Sequence, residues 1–280
     1  MPLDPRLTPA RADLAAAHLR GHVEAERFVE GVAYQVSAGV ASVRAAPLGD
    51  AMQETQLLFG ETFAVYDEKD GWGWGQAARD DYVGFVDMEA LSAPPIAPTH
   101  RVCALRTYVF SGPNIKSAPR FLLSLNADVT VEHDDGKLAQ IARGGFVPSR
   151  HLRPIGQHAS DWVAQAELFA HAPYQWGGKE SLGLDCSGLI QSAMHAAGLA
   201  CPRDSDMQEH DLGKPIALDA PLLQRGDLVF WKGHVGVMVD AQNLLHANAI
   251  HMAVAREPLA QTVERLTPLV GPIRAIKRLP

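Results

Sequence analysis

Short β-like runs separated by glycine and aspartate fill the first half of this 280-residue chain, and they limit the folds open to it. Strands this short, repeated at close intervals, are typical of small β-barrels. Between residues 31 and 93 the candidate strands are 39–44, 56–59, 62–66, 71–76 and 82–86. The charged segment from Asp67 to Gly71 predicts a hairpin turn between two of them. We therefore expect one small barrel over residues 31–93.

The same β texture returns after a proline-rich segment. Three prolines fall within residues 94–98, and proline denies hydrogen-bond donors to a sheet, so we expect a linker and a domain boundary there. Beyond it the candidate strands are 101–110, 121–125, 129–132, 138–143 and 145–148. Gly145-Phe146-Val147 repeats Gly84-Phe85-Val86, which indicates an internal duplication. A second small barrel is expected over residues 99–154.

The two ends of the chain have different patterns. Residues 1–30 are expected to form a leader, with an amphipathic helix over residues 11–30 that is rich in alanine and leucine. Residues 155–280 begin with helical periodicity and finish with strand patterns, which predicts a separate α+β domain. Within it a helix is expected from a Ser160 cap to Phe169.

Composition excludes several classes of function. The formal charge of −7, from 25 basic and 32 acidic residues, disfavours nucleic acid and anionic membranes as partners. No apolar run is long enough to cross a membrane. Three widely spaced cysteines do not predict a disulfide framework, and the first 30 residues lack a secretory signal pattern. We expect a cytoplasmic protein.

One cysteine lies where a helix begins. Apolar periodicity resumes after Gly183-Leu184-Asp185, so Cys186 is expected at a helix N-terminus, and Gly198 is expected to end that helix. The unpaired N–H groups and the positive dipole end favour a thiolate, so we expect a thiol pKa below the ordinary value of about 8.5. The same N–H groups can stabilise an oxyanion.

A nucleophilic cysteine needs a base, and the base needs an orienting partner. Residues 227–231, 234–239 and 243–247 predict three consecutive antiparallel strands. His234 begins the second and His246 lies near the end of the third, so the two imidazoles are expected side by side.

Each of these residues also has a structural interpretation. A single cysteine at a helix start is more often a small buried apolar residue, and a single strand histidine is more often packed or exposed. Zinc held by Cys186, His246 and His251 is an alternative that no metal-ligand spacing supports.

Taken together, these segments closely resemble the NlpC-type cysteine peptidase family over about residues 160–260. The resemblance is carried by Asp185-Cys186-Ser187-Gly188, by Gly226-Asp227-Leu228-Val229-Phe230 leading to His234-Val235-Gly236, and by His246. It implies a papain-like catalytic domain without a cofactor, in which Cys186 is the nucleophile, His234 the base and His246 the residue that orients the base.

Two preceding SH3-like barrels make the chain similar to the murein-peptide endopeptidases of that family, which cut after γ-D-glutamate. The fold class implied is two small SH3-like barrels followed by an α+β papain-like domain, and the substrates implied are murein tri- and tetrapeptides. By this resemblance Tyr174 and Asp185 bind a free N-terminal ammonium, and Ser187 and Ser205 bind the α-carboxylate of D-glutamate. Other expected substrate contacts are Asp204, Tyr82 and Glu54.

The sequence thus predicts a cysteine endopeptidase that hydrolyses the bond from γ-D-glutamate to meso-diaminopimelate or L-lysine. A free N-terminal L-alanine would make it an enzyme of murein-peptide recycling. Two alternatives stay open: a papain-like amidase or acyltransferase acting on another substrate, and a wall-peptide binding module without activity.

Overall fold

The computed structural model describes residues 3–218 and 222–280 of the chain. Its internal contacts divide the chain into two units, one up to Ile155 and one from Gly156 onward. No helix within the described ranges is long and apolar enough to span a bilayer.

The first unit consists almost wholly of short strands joined by tight turns. They are β1 (Ala15–Ala16), β2 (Phe28–Val29), β3 (Val32–Val36), β4 (Val40–Arg44), β5 (Gln53–Leu58), β6 (Thr62–Lys69), β7 (Trp72–Ala77), β8 (Val83–Asp87), β9 (Leu91–Ser92), β10 (His100–Val102), β11 (Arg106–Phe110), β12 (Pro119–Ser124), β13 (Asp128–Val129), β14 (Val131–Asp134), β15 (Leu138–Ile141), β16 (Gly145–Pro148) and β17 (Leu152–Pro154).

From β3 onward, the described strands of this unit form three sheets. Strands β3 to β9 make a seven-stranded sheet in the order β5-β4-β8-β7-β6-β3-β9. The second half contributes a five-stranded sheet, β12-β11-β16-β15-β14, and a three-stranded one, β13-β10-β17. The hairpin expected near Asp67 to Gly71 is confirmed, although β6 runs on to Lys69 and the turn itself is Asp70-Gly71, both with positive φ.

The helix predicted over residues 11–30 is wrong. That segment instead pairs β1 with β2 in parallel and holds a single 3-10 turn at Ala17–Leu19. Leu14, Ala15 and Ala16 are fully buried, so packing against the rest of the unit outweighs the helical propensity of alanine.

The proline-rich linker separates two sheets but not two independent units. Adjacent residues of β5 explain this, because successive strand side chains point to opposite faces. Leu57 packs into the core of the seven-stranded sheet, whereas Leu58 packs with Phe59 and Val109 in the core of the second half. Each half therefore supplies apolar side chains to one continuous unit.

In the described part of the second unit, four helices are combined with a six-stranded antiparallel sheet and a separate two-stranded one. The helices are α1 (Trp162–Glu167), α2 (Cys186–Ala196), α3 (Ser205–Asp211) and α4 (Leu259–Val270). The strands are β18 (Lys179–Glu180), β19 (Gly183–Leu184), β20 (Lys214–Ile216), β21 (Leu228–Trp231), β22 (His234–Met238), β23 (Asn243–Asn248), β24 (Ala253–Pro258) and β25 (Ala275–Arg278). Six of these strands form the larger sheet, in the order β20-β25-β21-β22-β23-β24, and the smaller one is β18-β19.

The elements that position the site agree with the sequence pattern. Helix α2 begins at Cys186 and ends before Gly198, whose φ of +74° stops it as expected. Strands β21, β22 and β23 are adjacent and antiparallel, as predicted. Helix α1 differs: Asp161 rather than Ser160 caps it, through a 3.0 Å bond from the Ala164 N–H, and it ends at Glu167.

Candidate active site

Cys186 is the first residue of α2, and the chain before it fixes that start. The Asp185 carboxylate caps the helix by accepting a 2.7 Å hydrogen bond from the Gly188 N–H. It also accepts one of 2.8 Å from the Gly177 N–H. Gly188 allows the helix to lie against the preceding loop, because a Cβ at this position would sit 2.1 Å from the Gly178 carbonyl oxygen. The first turn of α2 is therefore fixed by the Asp185 cap and by its close packing against the loop at Gly178.

The environment of the thiol differs from the sequence expectation. Cys186 is 7% exposed, and burial together with the neighbouring Asp185 carboxylate raises the pKa of its thiol to about 12. Backbone N–H groups of Val235 and Ser187 and the charge of Arg203 act in the opposite direction but do not prevail. The expectation that the helix N-terminus lowers this pKa is thus wrong, because desolvation exceeds the dipole effect.

The structure brings together the two histidines that the strand order predicts. His234 Nε2 lies 2.8 Å from His246 Nδ1, and the His246 ring is fully buried. Since the Val235 N–H hydrogen-bonds to Cys186, the start of β22 reaches the thiol. Burial, and then the nearby His246, lower the pKa of His234 to about 3. The resting His234 is therefore a neutral imidazole that can accept a proton, and the residue after it, Val235, contacts the protonated Cys186 thiol.

Two further residues, Glu257 and Arg265, continue the row of hydrogen-bonded side chains beyond His246, and neither was predicted from the sequence. His246 Nε2 lies 2.7 Å from Glu257 Oε1, and Arg265 of α4 donates to both oxygens of that carboxylate. Glu257 lies on β24, the strand next to β23. The sequence does contain a signal for Glu257, which is an acidic residue on the strand that follows the strand of His246. That signal can be used only if β24 is predicted, and it was not.

A second polar cluster adjoins Cys186, and its central residue was also missed. Arg203 is 1% exposed and forms a two-pronged ion pair with Asp185, at 3.0 and 2.7 Å. Arg203 also donates to the Ser187 hydroxyl at 2.9 Å, and Ser187 lies 3.2 Å from Asp185. Arg203 belongs to the segment 202–205 that matches the family pattern, but individual substrate contacts are predicted only for Asp204 and Ser205.

The ion pair changes the interpretation of Asp185. The sequence analysis assigned this carboxylate to a substrate ammonium, but in the structure its oxygens already accept from Arg203 and from two backbone N–H groups. A substrate ammonium would therefore share Asp185 with Arg203, and that role stays a prediction.

The remaining predicted contacts of the second unit lie around this cluster. Tyr174 is half-buried, and burial raises the pKa of its phenol, with smaller contributions from the charges of Cys186 and Asp185. Ser205 begins α3, and Asp204 occupies the cap position before it without a side-chain capping bond. Both residues are half-buried and directly follow Arg203.

Tyr82 and Glu54 belong to the first unit. Together they line a cavity of about 430 Å³ there, with Arg44 and Phe85 among the other walls. Tyr82 is 2% exposed and packs in the core of the seven-stranded sheet. Their predicted substrate contacts remain predictions.

Comparison with protein families identifies a conserved domain in each unit. Residues 43–91 match the bacterial dipeptidyl-peptidase SH3 domain, and residues 171–265 match the NlpC/P60 family. The second match includes Cys186, both histidines and Glu257.

Two Bacillus relatives each cover about three quarters of this chain. The chain is 28% identical over 235 residues to the γ-D-glutamyl-L-lysine dipeptidyl-peptidase of Bacillus subtilis, covering 76% of this chain and 78% of the relative. It is 32% identical over 240 residues to the protein of the same name from Bacillus cereus, covering 74% and 70% of the two chains.

A solved structure shows the same fold. The crystal structure of an NlpC/P60 family protein from Bacillus cereus superposes with a TM-score of 0.74, covering 89% of this chain and all of that one at 20% identity. With an SH3-like domain match in its first unit and an NlpC/P60 match in its second that spans Cys186 and both histidines, this chain belongs to the NlpC/P60 family of peptidases.

Proposed function

We propose that this protein is a cysteine endopeptidase that hydrolyses the bond between γ-D-glutamate and an L-diamino acid in murein peptides with a free N-terminal L-alanine. The diamino acid would be meso-diaminopimelate or L-lysine. The observation that carries the proposal is that Cys186 follows Asp185 of the buried Asp185–Arg203–Ser187 cluster and accepts a hydrogen bond from the N–H of Val235, the residue after His234 of the His234–His246 pair. The names of the two Bacillus relatives support the same bond.

The chemistry follows from the neutral resting pair. His234 takes the Cys186 proton as the sulfur attacks the γ-carbonyl carbon, forming the S–C bond and an oxyanion that the N–H groups of the first turn of α2 stabilise. The oxyanion collapses, the C–N bond breaks, and the departing amine takes the proton from His234. Water then attacks the thioester with His234 as base, which releases the dipeptide and restores the thiol.

The buried cluster supplies groups for both ends of the L-alanyl-D-glutamyl part. The Asp185 carboxylate and the Tyr174 hydroxyl suit the ammonium, because a charge in a closed site needs an opposite charge or a hydrogen bond. Ser187, Ser205 and the positive charge of Arg203 suit the α-carboxylate. Arg203 lets the cluster hold both charges, since it balances Asp185 before substrate arrives.

Contributions from the first unit complete the proposal. Tyr82 and Glu54 would contact the substrate from the SH3-like domain, with Asp204 as a further contact from α3. Residues 99–154 would form a second SH3-like domain, which their repeated strand pattern supports. A requirement for a free amine would direct the enzyme to released peptides in murein recycling, and the cytoplasmic location expected from the sequence stays a prediction.

Synthetic tripeptides test this function. We expect L-Ala-γ-D-Glu-meso-diaminopimelate or its L-lysine counterpart to yield L-Ala-D-Glu and the free diamino acid, detected by mass spectrometry. The N-acetylated tripeptide should react at least tenfold more slowly, and Cys186→Ala is the inactive control.

The alternatives give different products. Equal turnover of the free and acetylated peptides would refute the free-amine requirement. Absence of any diamino acid, with transfer or hydrolysis of another amide, would favour an amidase or acyltransferase. Binding that Cys186→Ala leaves intact, without any turnover by the parent, would favour a binding module.

A further inference from the structure

A line of four polar side chains leads from the start of β22 to α4. His234 contacts His246 at 2.8 Å, His246 contacts Glu257 at 2.7 Å, and Glu257 is clamped by Arg265. Three adjacent strands supply the first three residues. The central imidazole is fully buried and Glu257 is 8% exposed, so solvent does not replace these partners.

The clamp fixes the protonation of Glu257. Arg265 Nη1 donates to Glu257 Oε2 at 2.7 Å and Nη2 donates to Oε1, a two-pronged pairing that requires the ionised carboxylate. Burial alone would raise the pKa of Glu257, but the hydrogen bonds from Arg265 and His246 outweigh it and hold that pKa at about 2. An ionised carboxylate accepts hydrogen bonds and donates none.

The direction of every hydrogen bond in the line follows from that acceptor. His246 must donate to Glu257 from Nε2, and a neutral imidazole carries one ring proton, so His246 Nδ1 is an acceptor. His234 Nε2 must then carry the proton that it donates to His246. This leaves the lone pair of neutral His234 on Nδ1.

We propose that Glu257 is a positioning residue, which sets the tautomers of His246 and His234 so that His234 Nδ1 is the atom that takes the Cys186 proton, with Arg265 holding Glu257 in place. The proposal rests on Cys186 and His234 being the reactive pair of the proposed function. It adds a fourth and a fifth member to the three residues that the sequence predicts.

The charges around the His234–His246–Glu257–Arg265 row indicate that its main effect is to orient the hydrogen bonds of the two imidazoles. The groups that face the two imidazoles are each other, Glu257, Arg265 and, for His246, also His251. Glu257 raises the pKa of His234 and Arg265 lowers it, so the two charges act on His234 in opposite directions. What remains is the hydrogen-bond direction that the carboxylate imposes.

Glu257→Gln tests the proposal. Its amide either turns its NH2 toward His246, which reverses both tautomers, or sets that NH2 against Arg265. A wrong tautomer in a catalytic triad costs up to about 10⁴-fold in kcat. With one more residue in between, we expect about a 10- to 100-fold loss in kcat and a KM within twofold of the parent.

Alkylation of the thiol gives a readout that needs no substrate. The rate at which iodoacetamide modifies Cys186 at pH 7, followed by peptide mass spectrometry, should fall at least tenfold in Glu257→Gln. Glu264→Gln removes an exposed carboxylate one residue before Arg265 and is the matched control, with an unchanged rate. Glu257→Asp keeps the charge and should recover part of the loss.

Nitrogen NMR of the wild-type protein reads the tautomers directly. We expect a protonated Nε2 and an unprotonated Nδ1 on both His246 and His234, and this measurement applies even where Glu257→Gln fails to fold. A protonated Nδ1 on His234, or a folded Glu257→Gln protein that alkylates and turns over within twofold of the parent, would overturn the proposal. If the tautomers are as expected but no murein peptide is cleaved, the proposed substrate is wrong and the role of Glu257 stands.

Discussion

Two buried carboxylates flank the reactive residues of the second unit, and each is clamped by one arginine. Asp185 pairs with Arg203, which is 1% exposed, at the helix start beside Cys186. Glu257 pairs with Arg265, which is 27% exposed, at the far end of the histidine line. The first pair is closed within the protein, whereas the second has its arginine open to solvent.

The difference in burial between the Asp185–Arg203 pair and the Glu257–Arg265 pair corresponds to two different roles. The Asp185 pair holds the cap of α2 and a serine hydroxyl, and in the proposed function it builds the surface that would meet the substrate. The Glu257 pair contacts an imidazole, and in the proposed mechanism it would set the position of the proton that His234 exchanges with Cys186. Loss of the first arginine should therefore affect folding most, and loss of the second should affect catalysis most.

Arg203→Met should have the largest effect on stability. It leaves the buried Asp185 carboxylate without its cation, and breaking a buried pair in this way costs about 3–5 kcal/mol in the free energy of unfolding. Denaturant unfolding monitored by circular dichroism measures the loss. A change below about 1 kcal/mol would show that Asp185 is satisfied by its backbone donors alone.

Because of His234 and His246, the free energy of unfolding should decrease as the pH falls. His234 and His246 both have folded-state pKa values below the ordinary 6.5, so the unfolded chain binds their protons first. The stability they contribute is complete above about pH 6.5 and falls as the pH drops, by up to about 1.4 kcal/mol per pH unit for each histidine, and for His234 the fall continues to about pH 3. Glu257 adds stability above about pH 4.5 that is lost as the pH falls toward 2.

Unfolding of the wild type and of His234→Gln between pH 7 and pH 4 measures this dependence. The wild type should lose more stability over that interval than the variant. Equal slopes would mean that His234 is not buried in its neutral form.

Arg265→Met should have the smallest effect on stability. Solvent reaches this arginine, so we expect a loss of about 1 kcal/mol in the free energy of unfolding, well below that of Arg203→Met. Its kcat should fall more than that of a matched surface variant, Arg256→Met, while KM stays unchanged. If Arg265→Met were as unstable as Arg203→Met, the contrast between the two pairs would fail.

The sequence predicted the reactive residues better than their surroundings. Cys186 at a helix start and two histidines on neighbouring strands follow from local periodicity, which depends on residues close in the chain. Arg203 and Glu257 act through contacts with residues 18 and 11 positions away, which no local pattern reveals. The raised pKa of the Cys186 thiol has the same origin, because burial depends on the whole unit.

The first unit shows the same limit. Many of its strands were predictable because glycine and aspartate mark several reversals, as Asp70-Gly71 does, but β3 was not predicted and the strand expected over residues 101–110 is two strands, β10 and β11. Residues 11–30 were predicted as a helix from their alanine and leucine content. Local sequence does not show that Leu14 and Ala15 are buried, because that burial depends on strands distant in the chain. The sharing of β5 between two cores is likewise a long-range property.

The most direct test of the account is capture of the acyl-enzyme on Cys186. Rapid acid quenching of the enzyme with L-Ala-γ-D-Glu-L-Lys, followed by peptide mapping, should find the L-alanyl-D-glutamyl group as a thioester on Cys186 and on neither other cysteine. Release of L-lysine by the Cys186→Ala variant at a rate near that of the parent would contradict the account.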